Sequence, residues 1–250
     1  GIQQVPAAAE LKEEMNYGTI VRALILGSDL GIPKRIVLFH FPVECCRYIG
    51  AITGPKNVVL VVDKSDSMNR MIRGSQTRWS LVQRAVLDIL DTFTDNDFVN
   101  VVTFSDEALP LWTSSGMVNG QSEDIEALKD LVSEEHPEGQ TNFKAAFETA
   151  FHILSDGCSS GEEACSKCQN IILFLTDGRD SSRRNSESIR PSRMAQIIED
   201  LQDDLERKTD KRASIFTYSM SRDADDAIPR QIACANNGAW AFIGPNTNTL

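Results

Sequence analysis

Asp63, Ser65 and Ser67 are spaced by single residues and follow directly on the apolar run Val58 to Val62. In an extended segment alternate side chains face the same way, so these three can converge while Lys64 and Asp66 face elsewhere. One carboxylate and two hydroxyls are hard oxygen donors, suited to Mg²⁺, Ca²⁺ or Mn²⁺ rather than to metals that prefer thiolate or imidazole. A second apolar run ends in Leu175-Thr176-Asp177-Gly178, and Gly139-Gln140-Thr141 stands before a phenylalanine-rich stretch. Any one of these pieces alone reads as a turn or a helix cap. Taken together and in this order, Asp63, Ser65, Ser67, Thr141 and Asp177 are candidate ligands for one divalent cation, Mg²⁺ or Ca²⁺.

The elements around them must deliver three distant loops to one place. From Asn57 onward, apolar runs of strand length alternate with amphipathic stretches of helix length. This predicts an α/β fold, doubly wound, with a mostly parallel central sheet flanked by helices. Val58 to Val62 is continuously apolar and β-branched, as a central strand buried on both faces should be. Further strands are expected at 98–104, 108–112, 170–176, 215–218 and 239–243. Helices are expected over Leu81 to Phe93, from Ser122 to Val132, from Phe143 to Leu154, from Pro191 to Leu205, and over Asp225 to Ala235. The segment from Ser155 to Lys167, rich in Gly, Ser and Cys, reads as a loop. In an open sheet of this kind, ligands bind beyond the carboxyl ends of the strands where strand order reverses, and that is where the three loops should meet.

The chain has 250 residues, 41% of them hydrophobic, enough for one large core with an appendage. Its formal net charge of -11 leaves no broad basic face for phosphates, so nucleic acid is not an expected partner. No apolar run approaches the roughly 20 residues of a membrane-spanning helix, so no membrane contact by this segment is expected. Six cysteines form an even set that suits an oxidising compartment. Of these, Cys158, Cys165, Cys168 and Cys234 are the disulfide candidates, with Cys158 and Cys165 expected to close the polar loop. His40, His136 and His152 lack motif context and read as surface or packing residues.

Asp63-x-Ser65-x-Ser67, Thr141 and Thr176-Asp177-Gly178 resemble the metal-ion-dependent adhesion site of von Willebrand factor A domains. The resemblance covers Asn57 to the end of the sequence. A narrower likeness is to the alpha-2-delta auxiliary subunits of voltage-gated calcium channels and related cache-domain proteins. It rests on Tyr48-Ile49 with Pro55-Lys56, on Asp95 to Val101, on Cys168 to Ile172 and on Cys234 to Gly238. The resemblance implies recognition rather than turnover, with the ion's open position accepting a carboxylate from a protein partner outside the cell or at its surface. Residues 57–250 would form the A domain, the pattern ending where a closing helix is expected, and residues 1–56 would be the tail of a preceding cache-like domain. The chain departs from the family at Asp66, where glycine is usual, and at Glu44-Cys45-Cys46-Arg47, which replaces an arginine-rich, Trp-containing stretch.

Arg70, Arg73 and Arg78 follow the first motif, and Arg179, Arg183 and Arg184 the second. With Asp66 they are expected to line the rim of the crevice and to steer an acidic partner. Two other readings use the same residues. A Mg²⁺-dependent phosphatase could employ Asp63 as nucleophile, but Ser65 stands where such enzymes need a second aspartate, so no enzymatic activity is expected. An intracellular A domain of a chaperone or chelatase assembly would carry six free thiols, whereas the extracellular reading calls for disulfides.

Overall fold

The computed structural model describes residues 19–26, 35–42, 54–73, 75–113, 116–159, 165–166, 168–177, 190–220 and 227–242; for 19–26, 35–42, 73, 158 and 159 it describes the backbone alone. The two apolar runs before the first motif form strands β1 (Thr19–Leu26) and β2 (Arg35–Pro42), paired antiparallel in a sheet of their own. Tyr48 and Ile49 lie outside the described residues.

The main sheet is built on β3 (Lys56–Asp63), whose residues from Asn57 onward are all buried. Continuous Val and Leu let it accept a parallel neighbour on each edge and a layer of helices on each face. Six other strands join it: β6 (Phe98–Phe104), β7 (Ala108–Pro110), β8 (Val118–Asn119), β9 (Gln169–Thr176), β10 (Ala213–Ser219) and β11 (Trp240–Phe242). The order is β11-β10-β9-β3-β6-β7, with β8 also on β6. Strands β11 to β6 are parallel, and β7 and β8 form an antiparallel margin. A separate hairpin, β4 (Met71–Arg73) with β5 (Gln76–Thr77), stands between the first motif and the helix that follows it.

Side-chain alternation along β3 divides the core. Val58, Leu60 and Val62 meet α1 (Arg78–Leu90) and α2 (Asp124–Glu134), while Val59 and Val61 meet α3 (Phe143–Ser159), α4 (Pro191–Thr209) and α5 (Ala227–Ala235). The chain leaves β3 for β6 on one side and later returns through α3 to β9 on the other, so strand order reverses at β3. The carboxyl end of β3 therefore opens a crevice between diverging connections.

Three local expectations change. Helix α3 continues to Ser159, with Ser155 buried and Gly157 beside Met117. Its Ser-Asp-Gly end is polar in composition, but a side-chain-free Gly157 lets the helix pack closely where a loop was expected. Ser122 does not cap α2, because its hydroxyl donates to the Asn119 carbonyl; Asp124 and Glu126 instead place negative charge in the first turn. The motif segment itself is not pleated throughout. Ser65 is extended, and Asp66–Asn69 then form a 3-10 turn with Met68 buried beneath it.

The sequence features shared with the narrower family act as fasteners at the opposite end of the sheet. Asp97 accepts from the Thr94 backbone and hydroxyl and from Lys56, and Asn170 accepts from Asn57. Asn236 accepts from the buried Gln202, whose amide also bonds both ways with the Ala213 backbone. Buried polar groups of this kind persist because each is paired.

Candidate metal centre

The last residue of β3, Asp63, is fully buried. Its Oδ1 accepts from the Ser65 backbone N–H at 2.8 Å and its Oδ2 from the Thr176 hydroxyl at 2.6 Å. The first bond is local and follows from an aspartate two residues before an amide. The second crosses to β9, where the parallel register that pairs Val62 with Leu175 brings Thr176 level with Asp63. Ser65 Oγ and Ser67 Oγ lie 3.0 Å apart, and Ser67 Oγ donates to Asp177 Oδ1 at 2.6 Å. The 3-10 turn, rather than an extended pleat, is what aims both serines the same way. Asp63, Ser65, Ser67 and Asp177 thus form one hydrogen-bonded chain across the ends of two adjacent strands.

Thr141 is buried on the third loop. That loop is fastened to the first by the Asp66 N–H donating to the Gly139 carbonyl and the Glu138 N–H to the Lys64 carbonyl. It is fastened to the end of β6 by the Asn142 N–H donating to the Ser105 carbonyl. Gly139 has φ +79, a left-handed conformation that disfavours side chains, and a Cβ there would run into the Asp106 carboxylate. The side chain of Asn142 then accepts from the Ala145 N–H and caps α3.

Burial holds the Asp63 carboxyl well above its ordinary range, at about 6; the charge of Asp177 pushes the same way, against the hydrogen bonds from Thr176 and Ser65. Two buried carboxylates with like charges and adjacent hydroxyls suit a hard divalent cation, whose charge would relieve both. Among the described residues no cluster of three or more His, Cys, Asp or Glu occurs, so an ion here must take hydroxyl donors as well.

Residues 58–179 match the von Willebrand factor type A domain family. The chain carries a von Willebrand factor type A domain. Human voltage-dependent calcium channel subunit alpha-2/delta-2 is 27% identical over 214 residues, covering 84% of this chain and 16% of that protein. Mouse subunit alpha-2/delta-3 is 29% identical over 202 residues, covering 78% and 16%. The chain thus spans about a sixth of the length of these relatives. A solved von Willebrand factor type A structure from Catenulispora acidiphila has the same fold, with a TM-score of 0.59 at 20% identity over 82% of this chain and 40% of that one.

Around the A domain's crevice, the expected rim resolves unevenly. Asp66 and Arg70 are exposed; Arg73 has only its backbone described; Arg179, Arg183 and Arg184 lie outside the described residues. Among described residues, the non-glycine positions with positive φ are Asp210 and Asn237, so Asp66 occupies the usual glycine position without backbone strain. Arg78 is not a rim residue. Its guanidinium donates to Asp177 Oδ2 at 2.6 Å, with 14% of the side chain exposed and Asp177 completely covered. Neither its role nor that of Thr176 was apparent from spacing; the register of two parallel strands and the start of α1 decide both. His136 and His152 are exposed, as expected of surface residues.

Cys165 and Cys168 are free thiols, whereas Cys234 on α5 is disulfide-bonded. The expected closure between Cys158 and Cys165 is therefore not made. Nearness in sequence misled, because the Ser166 N–H donates to the buried Asn57 carbonyl oxygen of the side chain, and this ties the segment to the start of β3. Alkylation of unreduced protein followed by peptide mapping should label Cys168 rapidly and Cys165 more slowly, and leave Cys234 unmodified. Finding Cys165 in a disulfide would contradict the arrangement.

Proposed function

We propose that this chain is a divalent-cation-dependent protein-binding domain of a larger extracellular or surface protein of the alpha-2/delta type. Asp63, Ser65, Ser67, Thr141 and Asp177 hold one Mg²⁺ or Ca²⁺, and a carboxylate from the partner completes its coordination. The observation that carries this reading is the pair of buried aspartates at the ends of β3 and β9, linked through Ser65 and Ser67. Two carboxylates and three neutral hydroxyls supply about five oxygen donors, short of the six or more that such an ion takes, so a coordination position is left for an external carboxylate.

The likeness to alpha-2/delta subunits spans 214 residues, more than the 58–179 matched by the family, and so takes in flanking sequence as well. On this reading residues 1–56 belong to the end of a preceding cache-like module. The bonded state of Cys234 favours an oxidising compartment over an intracellular chelatase assembly. Among the described residues no helix is long and apolar enough to cross a membrane. Both Asp63 oxygens are engaged by neighbours, which disfavours its use as a phosphatase nucleophile.

Saturating MgCl₂ or CaCl₂ should stabilise the folded domain by about 3 kcal/mol at a hundredfold excess over Kd, since only the native state binds. For a domain of this size that is a rise in melting temperature of roughly 6–12 °C. Asp177→Ala should abolish the rise. An equal cation response in wild type and Asp177→Ala would refute the site.

A further inference from the structure

We propose that Arg78 is a tethered counter-cation that competes with the divalent ion for Asp177. The proposal rests on the cation-binding reading above and adds a residue that opposes it. Asp177 has both oxygens engaged, Oδ1 by the Ser67 hydroxyl and Oδ2 by Arg78, each at 2.6 Å. A fully buried carboxylate beside a second one needs a positive neighbour, and hydroxyls do not supply charge.

Among the described residues, the nearby basic side chains Lys64 and Arg70 are not paired with Asp177. Lys64, next to Asp63 in sequence, pairs with Glu135 at 2.8 Å and lies 3.8 Å from Glu138; Arg70 is exposed. Arg78 is delivered by the β4–β5 hairpin and the start of α1: the Arg70 N–H bonds the Ser67 carbonyl, and the Arg78 N–H bonds the Arg70 carbonyl. The loop that carries the serine ligands therefore also places the guanidinium, and α1 holds it through the Thr77 cap on Ser80.

A divalent ion at Asp177 would stand beside this guanidinium, and like charges at that range repel strongly away from bulk water. Ion binding and the Arg78–Asp177 pair are then coupled with negative sign, and the coupling is reciprocal: whatever weakens the pair strengthens the ion's binding. Arg78 keeps the cation-free A domain stable and holds its cation affinity down.

The test is calorimetric titration of the full chain with MgCl₂ and with CaCl₂, comparing wild type, Arg78→Gln and Arg78→Lys. Arg78→Gln should bind at least about tenfold more tightly, within the roughly 5–150-fold range of such couplings, and should melt lower without cation. Arg78→Lys, which keeps the charge, should stay nearer to wild type. Equal or weaker cation affinity in Arg78→Gln would overturn the proposal, showing that Arg78 only orients Asp177. If wild type and variants are folded and none binds either ion, the cation reading fails and the proposal with it. Should Arg78→Gln not fold, the wild-type protein suffices. Phenylglyoxal modification of Arg78, followed by peptide mapping, should accelerate in saturating MgCl₂; an unchanged or slower rate would overturn the competition.

Discussion

Asp63→Asn is expected to abolish cation binding and, in chelator at pH 7, to make the domain more stable than wild type. The Asp63 carboxyl titrates at about 6 in the folded protein, against an ordinary 3.8, chiefly because burial disfavours its charged form. A folded-state pKa raised above the unfolded one means that the associated stability is fully present below about pH 4. It is lost as pH rises through about 6. At neutral pH the metal-free wild type therefore carries a penalty of about 3 kcal/mol for a buried negative charge. Asparagine carries no charge and retains a carbonyl for the Ser65 N–H, so part of this penalty should vanish, less about 1 kcal/mol for imperfect hydrogen bonding.

Chemical denaturation in chelator at pH 5 and pH 7 checks the point. Wild-type stability should fall between the two, and the fall should be smaller in Asp63→Asn. With MgCl₂ at pH 7 the order should reverse, because only wild type gains from the ion. Protons compete with cation for Asp63, so wild-type cation affinity should also weaken below pH 6. If Asp63→Asn is less stable than wild type in chelator at pH 7, the aspartate is a structural fastener and the tension between charge and burial is not what the site stores.

The second large effect is expected away from the ligands. Phe174 on β9 is fully buried, with its ring stacked on Phe147 at 4.7 Å and on Phe104 at 5.3 Å and edge-on to Phe143 at 5.0 Å. Phe174→Ala removes the centre of this cluster and should cost about 3–5 kcal/mol, a large share of a domain's roughly 5–15 kcal/mol margin. The cluster braces β6, β9 and the first turns of α3, the elements whose ends carry Asp177 and Thr141. A melting temperature roughly 6–20 °C below wild type is expected, with partial recovery in saturating cation. A loss under about 1 kcal/mol by equilibrium denaturation would mean that the neighbouring rings close the gap and that the cluster does not brace the site.

Much of the architecture was legible before any coordinates. The β-branched run Val58 to Val62 allowed little other than a central strand, and the spacing of Phe143, Ala146, Phe147, Ala150, Phe151 and Leu154 described a helix with one apolar face. Both are periodic consequences of burial, which neighbouring residues report locally. The ends of the strands were legible too, since an acidic or hydroxyl residue after an apolar run marks where the chain leaves the core.

Only the tertiary structure decided which distant groups meet. Arg78 and Asp177 are 99 residues apart, and Thr176 reaches Asp63 from 113 residues away. Each pairing depends on strand register and on the rotamer of a side chain, and neither leaves a periodic trace. The same limit applies to Cys165, whose free state follows from where Ser166 is tied rather than from its distance along the chain to Cys158. By itself the sequence determined the candidate oxygen donors and the sheet that carries them, because both follow from local composition and period. Whether an arginine or a cation neutralises Asp177 was left to the packing of α1 against the end of β9, because charge compensation in a buried site is settled by proximity in space.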